Sequence, residues 1–238
     1  MPSIPSTSAA TFRQVVRATD RACERIGAPA DEDVRAPSLL PGWSRGHVLS
    51  HLARQAEGLG RLLEWARTGV ENPQYPDRAS RDAEIEAGAH RPAAELAADV
   101  AATAQALNRA FAELPAPAWS AEVRPFSGGP STPERILVFR LRELAVHLVD
   151  LDLGFGFADL PGDECETLLG DLAGYYDRHP DTPAMVLRDD SGAEAARFGT
   201  GGTEVTGSRA DLLAWLTGRS PGTGLAADPA LPALPPWI

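Results

Sequence analysis

The sequence contains no lysine: all 22 of its basic residues are arginine. Schiff-base chemistry needs a lysine amine, and a P-loop needs a lysine for its phosphates, so both classes are excluded. Positive charge is scarce as a whole. Against 33 acidic residues, the 22 arginines leave a formal charge of −11, and no basic face of the kind that binds nucleic acid is supplied. Cysteine is nearly absent as well. Cys23 and Cys165 stand far apart, with no CxxC, so neither a disulfide framework nor a cysteine metal knuckle is expected. Both lie in helix-like, partly apolar stretches and read as buried free thiols. The N-terminal stretch lacks a basic segment followed by an apolar run, so no signal peptide is expected. No apolar run approaches the roughly 20 residues that cross a bilayer. The reading is a cytoplasmic protein with no membrane and no nucleic-acid partner.

What is present is enough for a core. Hydrophobic residues make up 43% of the 238 residues, a size that suits one large domain or two small ones. The first two-thirds reads as helices. Phe12, Val15, Val16, Cys23 and Ile26 recur at helical spacing over about 9–26, with Thr19 the one polar residue on that face. The Pro- and Gly-punctuated stretch that follows predicts a loop. A second helix starts after Ser44, whose hydroxyl suits an N-cap. Trp43 is placed to pack back on Val48 as a hydrophobic staple. A third helical stretch over about 80–114 is predicted to break at His90-Arg91-Pro92, because an interior proline removes a donor and clashes. A connection over 115–133 leads to a fourth helix that opens at Thr132-Pro133-Glu134 and ends near Gly154. Four such helices predict a bundle.

The pattern changes after Gly154. A short helix over about 163–178 is followed by two short apolar stretches flanking Ser191-Gly192-Ala193-Glu194, which read as a β-hairpin. A third strand covers Thr203 to Gly207, and Ser208 caps a last helix. The tail from Ala226 is Pro-rich and predicted to be extended. The fold class is α+β, with a helical domain over 1–156 and a small α/β domain over 157–238.

Five histidines are present: His47, His51, His90, His147 and His179. From Ile136 to Leu151 the fourth helix is apolar on most sides, the mark of a buried helix. Arg140, Glu143, His147 and Asp150 nevertheless form one stripe along it. Glu143 and His147, four apart, project from the same face one turn apart. Charge held beside a core needs a partner, and a metal ion is one. On the second helix His51 lies at the edge of the stripe marked by Val48, Leu52, Leu59, Leu62 and Leu63, and His47 lies further toward solvent. If the two helices pack together, two histidines and a glutamate meet. They supply three ligands and leave a fourth position open, as in catalytic zinc sites. An intrahelical ion pair and hydrogen-bonded packing histidines account for the same spacings.

The stretch Pro41-Gly42-Trp43-Ser44-Arg45-Gly46-His47-Val48-Leu49-Ser50-His51-Leu52-Ala53-Arg54 resembles the first signature of the mycothiol-dependent maleylpyruvate isomerase family, within the DinB-like superfamily. Arg142-Glu143-Leu144-Ala145-Val146-His147-Leu148-Val149-Asp150-Leu151 resembles its second signature. The run from Val205 to Arg219 resembles the end of its C-terminal domain. The resemblance implies a DinB-like four-helix bundle carrying a divalent metal on His51, Glu143 and His147, followed by a small α/β domain. Zinc suits two imidazoles and a carboxylate, as do nickel, cobalt and iron.

The resemblance further implies mycothiol, the small thiol of actinobacteria, as cosubstrate. A metal-held thiolate is a nucleophile near neutral pH. Its addition to maleylpyruvate, rotation and expulsion would give fumarylpyruvate. The substrate's carboxylates call for a guanidinium, and the resemblance points to Arg219, with Arg209 a weaker candidate. Arg140, on the polar stripe of the fourth helix, is the rival for binding substrate or thiol. Two other readings stay open: a mycothiol S-transferase acting on a small electrophile, and a metal-binding bundle without catalysis.

Overall fold

The computed structural model describes residues 4–126, 128–228 and 230–237. Residues 1–3, 127, 229 and 238 lie outside the description, and with them parts of the N-terminal stretch, the 115–133 connection and the Pro-rich tail. The chain divides into two compact units, Met1–Gly154 and Phe155–Ile238.

The first unit is built on four long helices, α1 (Ser6–Ile26), α3 (Arg45–Thr68), α5 (Ala93–Glu113) and α6 (Pro133–Asp150). α1 packs on α6 and α5, and α3 packs on the same two, so the four close a ring. The shared core holds Val15, Leu52, Leu59, Leu62, Leu107, Phe111, Ile136 and Leu141, each at most 2% exposed. Apolar surface removed from water on this scale is the main stabilising term of such a bundle. The break at His90-Arg91-Pro92 separates α4 (Arg78–Ala89) from α5. Two expectations differ. The stretch after α1 holds a one-turn helix, α2 (Asp31–Arg35), too short for periodicity to reveal. The fourth helix stops at Asp150 rather than near Gly154, because Asp152 and Gly154 take left-handed backbone at φ +53° and +69°.

Two features of this unit position functional side chains. At the start of α3 the Ser44 hydroxyl accepts from the His47 amide, and the Ser44 amide donates to His47 Nδ1 at 3.2 Å. This is a reciprocal cap with histidine in the usual Glu/Gln role. Arg45 then donates to the carbonyls of Leu151 at 2.7 Å and Asp152 at 2.8 Å. The end of α6, whose last carbonyls lack helical partners, is thereby tied to the start of α3. Gly46 and Gly88 bring α3 against α4. A Cβ on Gly46 would collide with the Ala89 carbonyl, and one on Gly88 with the Ser50 side chain.

The second unit holds α7 (Gly162–Arg178), β1 (Met185–Arg188), β2 (Glu194–Phe198), β3 (Thr203–Thr206), α8 (Arg209–Leu216) and β4 (Ala226–Asp228). The expected hairpin is there, with β1 and β2 antiparallel. The third strand pairs parallel to β1, not with β2, and the sheet order is β2-β1-β3-β4. Gly202 permits that pairing, since a Cβ there would strike the Ala184 carbonyl. The start of the Pro-rich tail is extended, as expected, and forms the edge strand β4, antiparallel to β3. Ser208 caps α8, accepting from the Asp211 amide. The Tyr176 hydroxyl donates to the Leu216 carbonyl at 2.6 Å and joins α7 to the end of α8.

Cys165 is buried, as expected, whereas Cys23 is half-buried on α1. Burial pushes both thiols up, helped by Asp20 at Cys23 and by Glu164 at Cys165, so neither is an activated thiolate. No helix among the described residues is long and apolar enough to cross a membrane.

Candidate metal centre

α3 and α6 pack side by side, and their polar residues meet. His51 Nε2 lies 2.9 Å from Glu143 Oε2, and His147 Nε2 lies 3.3 Å from the same oxygen. The two imidazoles stand edge to face with centroids 4.7 Å apart. One ligand atom from each of His51, Glu143 and His147 falls within 4.8 Å of the others. The structure therefore brings together the trio that helical spacing placed on facing stripes. His47 does not join it. The Trp43 ring stacks over His47 and meets His51 edge-on, with centroids 6.0 and 5.7 Å away.

The electrostatics show three groups competing for one charge balance. Burial alone would raise the Glu143 carboxyl, but hydrogen bonds from His147 and His51 hold it well below the usual carboxylate range. Burial pushes the His51 imidazole down, and the neighbouring His147 adds to this, against the hydrogen bond to Glu143. His147 goes the other way. Burial opposes its charged form, yet hydrogen bonds to Asp150 and Glu143 push it up to about 8. A carboxylate, a neutral imidazole and an imidazolium whose proton a cation can replace make a donor set that fits a divalent ion.

The surroundings are built to orient these ligands. His147 Nδ1 is 2.8 Å from Asp150 Oδ2, and Asp150 is fully buried. A carboxylate on the far nitrogen fixes the tautomer and ring angle of a ligating histidine. Arg140, also on the α6 stripe, is 1% exposed. Its Nη1 donates to the Leu52 carbonyl at 3.1 Å and to Gln55 Oε1 at 2.7 Å, which fastens α6 to α3. Burial lowers its pKa to about 10, against the attraction of Glu143.

Two side chains near the centre, Arg81 and Tyr75, escape sequence reasoning, and a third, Trp43, is read from the sequence only as a staple. Arg81, on α4, brings Nη2 to 3.5 Å from His51 Nδ1. Tyr75, before α4, is buried; burial pushes its pKa up to about 12, with Arg81 and Glu143 among the charges acting on it. Trp43 comes from the loop ahead of α3. None belongs to a periodic pattern, so spacing offered no signal for them.

In the second unit, Arg219 follows α8. Its Nη1 donates to the Thr217 carbonyl at 2.7 Å, and its guanidinium lies 5.5 Å from the Trp237 ring centre. Arg209 is paired with Asp189 at 3.0 Å.

A helical bundle with a two-histidine, one-carboxylate centre, followed by a small mixed-sheet unit, defines a class of bundle proteins suited to divalent-metal chemistry. Within that class, the model of the mycothiol maleylpyruvate isomerase N-terminal domain matches residues 12–152, and that of the corresponding C-terminal domain matches 159–236. The chain belongs to the mycothiol maleylpyruvate isomerase family. Its fold is also similar to a crystal structure of a mycothiol-dependent maleylpyruvate isomerase, with 27% identity, 97% of each chain covered and a TM-score of 0.84. A histidine-to-alanine mutant of such an isomerase matches with the same identity and coverage and a TM-score of 0.85. No curated protein matches the sequence.

Proposed function

We propose that this protein is a mycothiol-dependent, metal-dependent isomerase that converts maleylpyruvate or a close cis-unsaturated dicarboxylate to its trans isomer. The observation that carries the reading is the convergence of His51, Glu143 and His147 in a chain similar over its length to mycothiol-dependent maleylpyruvate isomerases. His51 Nε2, Glu143 Oε2 and His147 Nε2 would hold the divalent ion, and zinc suits that donor set. When bound, the ion favours the thiolate form of a coordinated thiol, the nucleophile whose reversible addition turns a double bond into a rotatable single bond.

The chain's own residues prepare that chemistry. Asp150 holds the His147 Nδ1 proton, so that Nε2 presents its lone pair. Arg140 fastens the two ligand-bearing helices and keeps a positive charge within range of Glu143. A dicarboxylate needs cationic partners with a matching fork. Arg81 offers one beside His51, and Arg219 is the guanidinium to which the family resemblance points. The buried Tyr75 hydroxyl is a neutral donor, since its pKa is pushed up to about 12.

The test compares wild type with His147→Ala. Metal-loaded wild type is expected to turn maleylpyruvate into fumarylpyruvate only when mycothiol is present. His147→Ala is expected to fold, lose the metal and lose turnover. A variant that keeps full turnover without metal overturns the assignment of the centre.

A further inference from the structure

We propose that the crossing of α3 and α4 carries a second divalent-cation site, made by His47, Glu86 and His90 and separate from the His51 centre. One ligand atom from each of the three lies within 4.8 Å of the others. Glu86 Oε2 is 3.1 Å from His47 Nε2, and Glu86 Oε1 is 3.0 Å from His90 Nε2. The two imidazoles meet edge to face with centroids 5.7 Å apart.

The arrangement repeats the inner one. There, a glutamate and a histidine four apart on α6 receive a histidine from α3. Here, a glutamate and a histidine four apart at the end of α4 receive another histidine from α3, one turn before His51. Helical geometry puts each Glu/His pair on one face, and the two α3 histidines serve one pair each.

The fold goes to some length to hold these groups together. His47 reaches Glu86 because Gly46 and Gly88 let the helices touch, where any side chain would collide with Ala89 or Ser50. The His47 ring is also oriented from behind. Its Nδ1 accepts from the Ser44 amide and lies 2.7 Å from Ser44 Oγ, and these two contacts fix the angle of the ring. Trp43 stacks on its face, 28° from parallel. Side-chain exposure of 65% at Glu86 and 70% at His90 leaves the remaining coordination positions to water. That exposure suits a weaker, exchangeable site for a borderline ion such as zinc, nickel or copper.

The experiment titrates untagged, metal-free, full-length protein with Zn2+ and measures stoichiometry by calorimetry and elemental analysis. Two equivalents are expected, the second weaker than the first. Glu86→Gln and His90→Ala change exposed side chains and are expected to fold as wild type. Each should weaken the second equivalent at least tenfold and leave the first unchanged. His147→Ala should remove the first and spare the second. Cu2+ provides an optical check in the His147→Ala background, where the inner centre is lost: an ion on His47 should still quench Trp43, which stacks on that ring, and adding Glu86→Gln should remove the quenching. A single equivalent in wild type, or a second equivalent indifferent to both Glu86→Gln and His90→Ala, overturns the proposal.

Discussion

The buried carboxylate of Asp150 stands 2.8 Å from Nδ1 of His147, on the side of the ring away from Glu143. The ring therefore bridges two carboxylates, one that fixes its tautomer and one that shares its ligand position. Asp150→Asn is expected to reduce metal affinity by about 10–100-fold, the range for lost outer-shell partners. Glu143 and His51 remain in place in that variant. A Zn2+ titration of Asp150→Asn against wild type checks this, and unchanged affinity would remove Asp150 from the site's support.

Metal should stabilise the bundle by mass action. With free ion at 100 times its dissociation constant, binding to the folded state alone adds about 2.7 kcal/mol. Chelation is expected to lower Tm by several degrees and to abolish turnover, both restored by adding metal back. His147→Ala should show no Tm response at ion concentrations that saturate only the tight site. Differential scanning calorimetry with and without chelator reads both outcomes.

The arginines should separate by phenotype. Arg219→Ala is expected to cut kcat/KM at least about tenfold, roughly 1.4 kcal/mol of transition-state binding, with metal content and Tm unchanged. Arg140→Ala leaves the Leu52 carbonyl and Gln55 without their buried donor. It is expected to cost about 2–4 kcal/mol of stability, a cavity and two lost partners acting together. Urea unfolding alongside steady-state kinetics tells the two apart. Wild-type kinetics in Arg219→Ala with a large loss in Arg81→Ala would place the carboxylate partner within the bundle.

Tyrosine ionisation gives a pH dependence of known sign. Burial pushes Tyr75 and Tyr176 up to about 12, against an unfolded value of about 10. Their contribution is fully present below about pH 10 and is lost as pH rises through about 12, because the unfolded chain releases these protons first. Phenolate absorbance should show a late step near pH 12 that shrinks in both Tyr75→Phe and Tyr176→Phe. A native spectrum fully titrated by pH 11 would contradict it.

The legible parts of this molecule were those written in a period. Glu143, His147 and Asp150 share a stripe on an otherwise apolar helix, and His51 borders an apolar stripe on another, so spacing alone made them neighbours once the helices packed. Ser44 announced its cap by residue type, and His90-Arg91-Pro92 announced a helix break by the missing proline donor. What stayed hidden depends on tertiary contact. The partnership of His47 with Glu86 and His90 needs the close crossing that Gly46 and Gly88 allow, and a lone glycine does not say what approaches it. Arg81 and Tyr75 reach the centre from a short helix and the loop before it. The parallel pairing of β3 with β1 rests on Gly202 clearing the Ala184 carbonyl, which no strand propensity encodes.

The most direct test counts product against thiol. Metal-loaded protein is supplied with a hundredfold excess of maleylpyruvate over mycothiol, and both are followed by NMR. An isomerase returns its thiol each cycle. The expected result is conversion of nearly all substrate to fumarylpyruvate while the mycothiol signal persists undiminished. Consumption of one thiol per product, with an adduct accumulating, or no conversion by protein of verified metal content, would contradict the account.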